Sequence, residues 1–156
     1  MIRGLHHVAI ATNDVERLLV FYRDLLGLEV VLDYVWRDDN VVADRVTALH
    51  GSSARSIMLR KGNAYLELFQ YFSPQPAQGD PARPVCDPGL THLCFDVVDL
   101  DSEYERLAKA GMTFHCPPQV VGAGVRTTYG RDPDGNVVEL REVASGEQRI
   151  ALPPLA

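Results

Sequence analysis

The sequence predicts an α+β fold made of two βαβββ modules. Three observations lead there: a pattern of strand, helix and three strands that occurs twice, a constant offset between its landmarks, and a Pro/Gly-rich segment between the copies. His7 and His92 are 85 residues apart, as are Asp14 and Asp99, and Gly27 and Gly111 are 84 apart. The chain has 156 residues, 46% of them hydrophobic and 23% charged, which is ordinary for one compact domain or two small halves sharing a core.

In the first module, residues 5–12 (LHHVAIAT) have strand character. Asn13 or Asp14 is placed to cap a helix, and Val15, Leu18, Leu19, Tyr22, Leu25 and Leu26 repeat at the three-and-four spacing of one buried face. Gly27 is the expected stop. Strands follow over 28–36, 55–60 and 64–71. Residues 73–89 (SPQPAQGDPARPVCDPG) form a linker.

The second module opens with a strand over 90–98, then a helix capped by Asp99 or Asp101. Ser102 and Glu105 have capping-box spacing, with Tyr104, Leu107 and Ala108 on an apolar face. Gly111 ends it, and strands follow over 112–116, 124–129 and 136–142, the last two joined by a tight turn at RDPDGN. Organisation is therefore expected as module one over 3–72, a linker over 73–89, module two over 90–143 and a tail over 144–156. Module one carries some 13 extra residues within 38–51, a polar stretch with helix-like Val41, Val42, Arg45 and Val46, in a position to cover a cleft mouth.

Lys and Arg total 15 against 21 Asp and Glu, a net charge of −6, which argues against nucleic acid as partner. No apolar run approaches the roughly 18 residues of a membrane helix. The start, MIRGLHHVAI, lacks the features of a secretory signal, so a cytoplasmic protein is expected. Cys86, Cys94 and Cys116 form no CxxC motif; they are expected to be small buried hydrophobes, without a disulfide or zinc role.

Chemistry-bearing residues stand at matching points of the repeat. Each module opens with a strand His, His7 or His92, and closes with a strand Glu in an apolar setting, Glu67 in YLELF and Glu139 in VVELR. A lone strand histidine is usually structural. An unpaired carboxylate among leucines is costly, however, and both glutamates recur at equivalent positions. Two imidazoles and two carboxylates suit one divalent transition metal, with two open positions for a substrate bearing two neighbouring oxygens. His6 is expected to point away from His7, and His50 and His115 to be structural. With the RDPDGN turn centred near Asp134, Tyr129 falls opposite Glu139 and Thr127 opposite Arg141, on one face. Phe69, two residues beyond Glu67, shares the face of that carboxylate.

The motifs LHHVAIAT, FYRDLLGLE, YLELF, GLTHLCFDV and RDPDGNVVELRE resemble the vicinal oxygen chelate superfamily over roughly residues 3–143. That superfamily includes glyoxalase I, methylmalonyl-CoA epimerase, extradiol dioxygenases and fosfomycin- and bleomycin-resistance proteins. The resemblance implies curved mixed sheets around a metal-binding cleft, often in a homodimer. His7, Glu67, His92 and Glu139 match its four metal positions, holding one divalent ion per chain (Ni, Co, Zn, Mn or Fe). It further implies an epimerase or glyoxalase-like lyase that moves a proton next to a carbonyl through a metal-bound enediolate, with Glu139 or Glu67 as base; the hairpin register, independently of the resemblance, sets the Tyr129 hydroxyl beside the substrate. The continuation LFQYFSPQP after Glu67 is more epimerase-like than glyoxalase-like, while Ser56 and Ile57 stand where some epimerases carry a second acid. The alternatives are an extradiol-type dioxygenase, a metal-dependent thiol transferase, and a metal-free small-molecule binding protein of the antibiotic-resistance kind.

Overall fold

A computed structural model describes residues 1–144 and 150–152; most of the expected tail, 144–156, lies outside the described residues. The chain divides into two compact units, Met1–Gly79 and Asp80–Ala156, each holding one copy of the repeat. Among the described residues no helix is long and apolar enough to cross a membrane.

The first unit is a four-stranded sheet in the order β1-β4-β3-β2, with β1 at His7–Ala11, β2 at Glu29–Trp36, β3 at Ser53–Lys61 and β4 at Ala64–Ser73. β1 runs parallel to β4, and the other pairs are antiparallel. The helix α1 (Val15–Leu19) is capped by Asp14, whose carboxylate accepts from the Arg17 amide at 3.1 Å, and it packs on β4. Ile10, Ile57, Leu59, Leu66 and Leu68 form the helix-side core with Val15, Leu18 and Leu19. The alternate residues of the strands, among them His7 and Glu67, face the other way.

The helix departs from the expected face at its end. Val20–Leu25 winds as a π-helix, with the Leu26 amide donating to the Phe21 carbonyl at 3.0 Å. The wider turn rotates Phe21 inward beside Tyr22, and both are buried; Leu25 and Leu26, expected inside, are only half-buried. The insertion forms α2 (Val41–Thr47), whose Val42 and Val46 are exposed. Its Asp44 carboxylate accepts from the amides of Gly51 (2.7 Å) and Ser52 (2.8 Å); the Ser52 hydroxyl first, then these amides, hold that carboxyl below the usual range.

The second unit repeats the order as β5-β9-β8-β6, with β5 at His92–Asp96, β6 at Thr113–Phe114, β8 at Val125–Arg131 and β9 at Val137–Val143; β7 (Gln119–Gly122) also pairs with β8. β6 and β7 are therefore two pieces of the edge that β2 forms unbroken. Pro117 and Pro118 lie between them and supply no amide hydrogen to a ladder, so the expected single strand over 112–116 shrinks to two residues and a further strand follows. Helix α3 (Leu100–Lys109) packs on β9, burying Leu100 and Leu107 while Ala108 is exposed. Its cap is Asp99, which accepts from the Ser102 amide (3.3 Å) and hydroxyl (2.7 Å). Ser102 is thus the capped residue rather than the head of a capping box with Glu105.

The RDPDGN turn is tied by the buried Asp132, which accepts from the amides of Asp134 and Asn136, both at 2.9 Å. Gly135 (φ +88°) sits so close to the linker that an added Cβ would lie 2.3 Å from Pro81 backbone atoms. The Arg131 guanidinium donates to the carbonyls of Gly135, Pro81 and Arg83, fastening the same stretch.

Candidate metal and catalytic residues

Each module pairs its own His and Glu. In the first, His7 and Glu67 sit on neighbouring parallel strands, and His7 Nε2 lies 3.1 Å from Glu67 Oε2. In the second, His92 Nε2 lies 3.0 Å from Glu139 Oε2. Among the described residues, no group of three or more His, Cys, Asp or Glu side chains is gathered as a metal cluster.

Both pairs are held the same way. The other carboxylate oxygen accepts from a hydroxyl on the next strand: Ser56 Oγ to Glu67 Oε1 and Thr127 Oγ1 to Glu139 Oε1, each at 2.6 Å. These hydroxyls are diagonal neighbours of the glutamates, since Met58 stands directly opposite Glu67 and Tyr129 opposite Glu139. The other imidazole nitrogen is engaged by the preceding residue. His6 Nδ1 lies 2.9 Å from His7 Nδ1, and Thr91 Oγ1 lies 2.8 Å from His92 Nδ1. Sequence reasoning placed Thr127 on this face and singled out Ser56 and His6, but it missed the supporting role of all four residues. It also expected His6 to point away, yet its ring stacks on Tyr65, the cross-strand partner of His7, at 5.0 Å; His6 precedes β1, so strand alternation does not govern it.

The donor set fits a divalent ion. A neutral imidazole that ligates through Nε2 carries its proton on Nδ1 and needs an acceptor there, which Thr91 and a suitably protonated His6 provide. Ser56 and Thr127 likewise orient the carboxylates and leave Oε2 of each facing its histidine.

The surroundings of the two pairs differ. Trp36, Phe69 and Tyr71 form an aromatic cluster in the first module with ring centroids 5.8–6.0 Å apart, and Trp36 Nε1 donates to Ser52 Oγ at 3.1 Å. Burial and the Glu67 carboxylate push the Tyr71 hydroxyl upward. In the second module Tyr129 lies against His92 with ring centroids 5.0 Å apart and against His115 at 6.3 Å, so His115 borders the pair through Tyr129. Burial, then the charge of Glu139, raise the Tyr129 hydroxyl, and the nearby Arg141 opposes the rise. Cys94, directly across from Glu139 on β5, is pushed up to about 12 by crowding around its sulfur and by that carboxylate. The residue as a whole still keeps open surface. All three cysteines are free and exposed, which corrects the expectation of buried thiols. Cys94 lies on the sheet face away from α3, Cys116 at the edge break beside Pro117, and Cys86 in the linker, where no apolar layer covers them.

Comparison with known proteins agrees with this architecture. A 2-epi-5-epi-valiolone epimerase from Actinomyces sp is 29% identical over 155 residues, covering 92% of this chain and 81% of that protein. An ethylmalonyl-CoA/methylmalonyl-CoA epimerase from Cereibacter sphaeroides is 28% identical, covering 92% of this chain and all of that one. The crystal structure of a glyoxalase family protein from Bacillus cereus superposes with a TM-score of 0.84 at 22% identity, over 93% of this chain and 97% of the other. The family model for the glyoxalase/bleomycin resistance protein/dioxygenase superfamily matches residues 4–140, and the chain belongs to that superfamily, the vicinal oxygen chelate superfamily.

Proposed function

We propose that this protein is a metal-dependent epimerase or glyoxalase-like lyase that moves a proton beside the carbonyl of a small molecule with two neighbouring oxygens. One observation carries the reading: a histidine, a glutamate and an orienting hydroxyl repeated in both modules, with Nε2 and Oε2 of each pair turned to one another. His7, Glu67, His92 and Glu139 together hold one divalent ion per chain (Ni, Co, Zn, Mn or Fe). Such an ion, when bound, polarises the carbonyl and acidifies the adjacent C–H. The epimerase names of two relatives support proton transfer over the dioxygenase and binding-protein alternatives. A homodimer in the cytoplasm goes with the same reading.

Glu139 is the base in this scheme, and Glu67 is the fixed ligand. Thr127 Oγ1 has a second acceptor, the Leu140 carbonyl at 2.9 Å, besides Glu139 at 2.6 Å. One hydroxyl proton serves one acceptor at a time, so Glu139 can swing off while Thr127 stays satisfied. Ser56 Oγ has Glu67 as its sole acceptor among the described residues, which ties that carboxylate down. Glu139 then carries the substrate proton on a carboxylate oxygen between removal and return. Tyr129, kept neutral by its raised pKa, donates its hydroxyl to a substrate oxygen.

Metal analysis and exchange test the scheme. Purified protein should hold about one divalent ion per chain, and His92→Ala should lose most of it. Active substrates among 2-keto, 2-hydroxy and acyl-CoA compounds should gain solvent deuterium beside the carbonyl in D₂O. Undiminished metal in His92→Ala removes that residue from the site. Turnover that consumes O₂ without exchange replaces the proposal with the dioxygenase reading.

A further inference from the structure

Arg141 stands out among the strand arginines. Arg55 is paired with Asp33 and Glu16, Arg60 with Glu29, and Arg126 with Asp101 and Glu142, while Arg131 is spent on three backbone carbonyls. Arg141 is half-buried on β9, two residues beyond Glu139 on the same face and directly opposite Thr127, the residue that orients that carboxylate. Its charge reaches the Cys94 thiol and the Tyr129 hydroxyl. Asp96 is its neighbour on β5, yet the two form no ion pair, and among the described residues no carboxylate does. A planar cation held beside the reacting groups without a protein anion is complementary to an anion brought by the ligand. The equivalent position in the first module is Phe69, so the feature is not a by-product of the repeat.

We propose that Arg141 is a specificity residue that receives an oxyanion group, phosphate or carboxylate, carried by the substrate at a distance from its two chelating oxygens. The inference rests on the proton-transfer reading above and adds a substrate class to it: small hydroxyketones with an anionic arm.

Matched ligands test this on the metal-loaded protein. Dihydroxyacetone and dihydroxyacetone phosphate share a hydroxyketone head and differ by the phosphate, and 5-hydroxy-4-oxopentanoate against 1-hydroxy-2-butanone supplies the carboxylate arm. By calorimetry the wild type should bind at least one anionic member about tenfold or more tighter than its neutral counterpart, and which arm wins distinguishes the two anions. That ratio should fall below about threefold in Arg141→Gln and recover in part in Arg141→Lys, which keeps charge without the fork. Asp96→Asn, which removes the opposing carboxylate, should widen it. Inorganic phosphate should weaken the anionic ligand's binding to wild type more than the neutral one's, a measurement that needs no variant. Wild-type ratios near one for both pairs, including no binding by any ligand, overturn the proposal, as does a tenfold ratio that survives in Arg141→Gln. Deuterium exchange on the neutral ketones reports separately on the proton-transfer reading: exchange without anion preference sinks only the Arg141 proposal, and anion preference without exchange sinks only the mechanism.

Discussion

The two modules support their His–Glu pairs identically and surround them differently. In both, the residue before the histidine holds Nδ1 and a hydroxyl on the neighbouring strand holds Oε1 of the glutamate. Around that shared frame, Ala9, Met58 and Phe69 of the first module correspond to Cys94, Tyr129 and Arg141 of the second. At these three positions the first module has only hydrocarbon, a thioether and a ring, with the Tyr71 hydroxyl as its nearby polar group, whereas the second has a thiol, a phenol and a guanidinium. The glutamate side chain is 15% exposed in the first and 7% in the second. In the proposed scheme both copies keep the His–Glu geometry and the second copy carries the reactive groups. The division predicts unequal consequences for equivalent substitutions.

The largest inequality should appear at the carboxylates. Glu139→Gln should lower turnover by roughly 10²–10⁴-fold, the usual contribution of a positioned base. Glu67→Gln should act mainly through weaker metal retention, so that excess metal restores part of its rate. Steady-state kinetics with and without added metal decides this, and the opposite pattern would transfer the base to the first module.

Next in size is the pair Tyr129 and Met58. Tyr129→Phe should slow turnover by about tenfold or more while metal content and melting temperature stay near wild type, whereas Met58→Leu should change little. The sign of the pH dependence follows from the raised hydroxyl. The phenol is active while protonated, and its folded pKa lies above the ordinary value of 10, so ionisation of Tyr129 should produce no fall in rate below about pH 10. An alkaline limb below that value that disappears in Tyr129→Phe would contradict the assignment.

Much of this comparison was legible before the structure. The 85-residue offset aligned His7 with His92, and the centre of the RDPDGN turn placed Tyr129 against Glu139 and Thr127 against Arg141, because hairpin register follows from turn position. The supporting groups were not legible. Ser56 and Thr127 act diagonally across strand pairs, and His6 and Thr91 act from positions before the strands, where strand alternation says nothing about direction. The π-turn that exchanges Phe21 for Leu25 and Leu26 leaves no signature in a 3.6-residue pattern. The break at Pro117 and Pro118 could have been read, since two consecutive residues without amide hydrogens interrupt a paired edge.

A smaller inequality is expected at the hydroxyls. Ser56→Ala removes the hydroxyl that donates to Oε1 of the mostly enclosed Glu67 carboxylate, and an oxygen left unsatisfied costs about 1–3 kcal/mol. The melting temperature and metal affinity of Ser56→Ala should therefore both fall. Thr127→Val keeps the shape and leaves Glu139 untethered, so it should show a modest stability loss and a rate reduced several-fold. If Ser56→Ala altered rate more than metal affinity, Glu67 would not be the fixed ligand.

The smallest effect on turnover should come from Cys94→Ala, which copies Ala9 of the first module into the second. Cys94 faces Glu139, and its exposure invites assignment as a nucleophile, but the physics runs the other way. Crowding and the adjacent carboxylate both disfavour the thiolate and raise the thiol from about 9 to about 12. The thiolate is the reactive form, so at pH 8 its population should lie several orders of magnitude below that of an ordinary free cysteine. Iodoacetamide at that pH should therefore label the exposed Cys86 and Cys116 well before Cys94, as peptide mass spectrometry on metal-stripped protein would show. Glu139→Gln removes the neighbouring negative charge and should speed labelling at Cys94 selectively. Cys94→Ala should leave turnover within about twofold of wild type. Rapid labelling of Cys94 accompanied by loss of activity would instead give the thiol a part in the chemistry, and the difference between the modules would extend to a nucleophile.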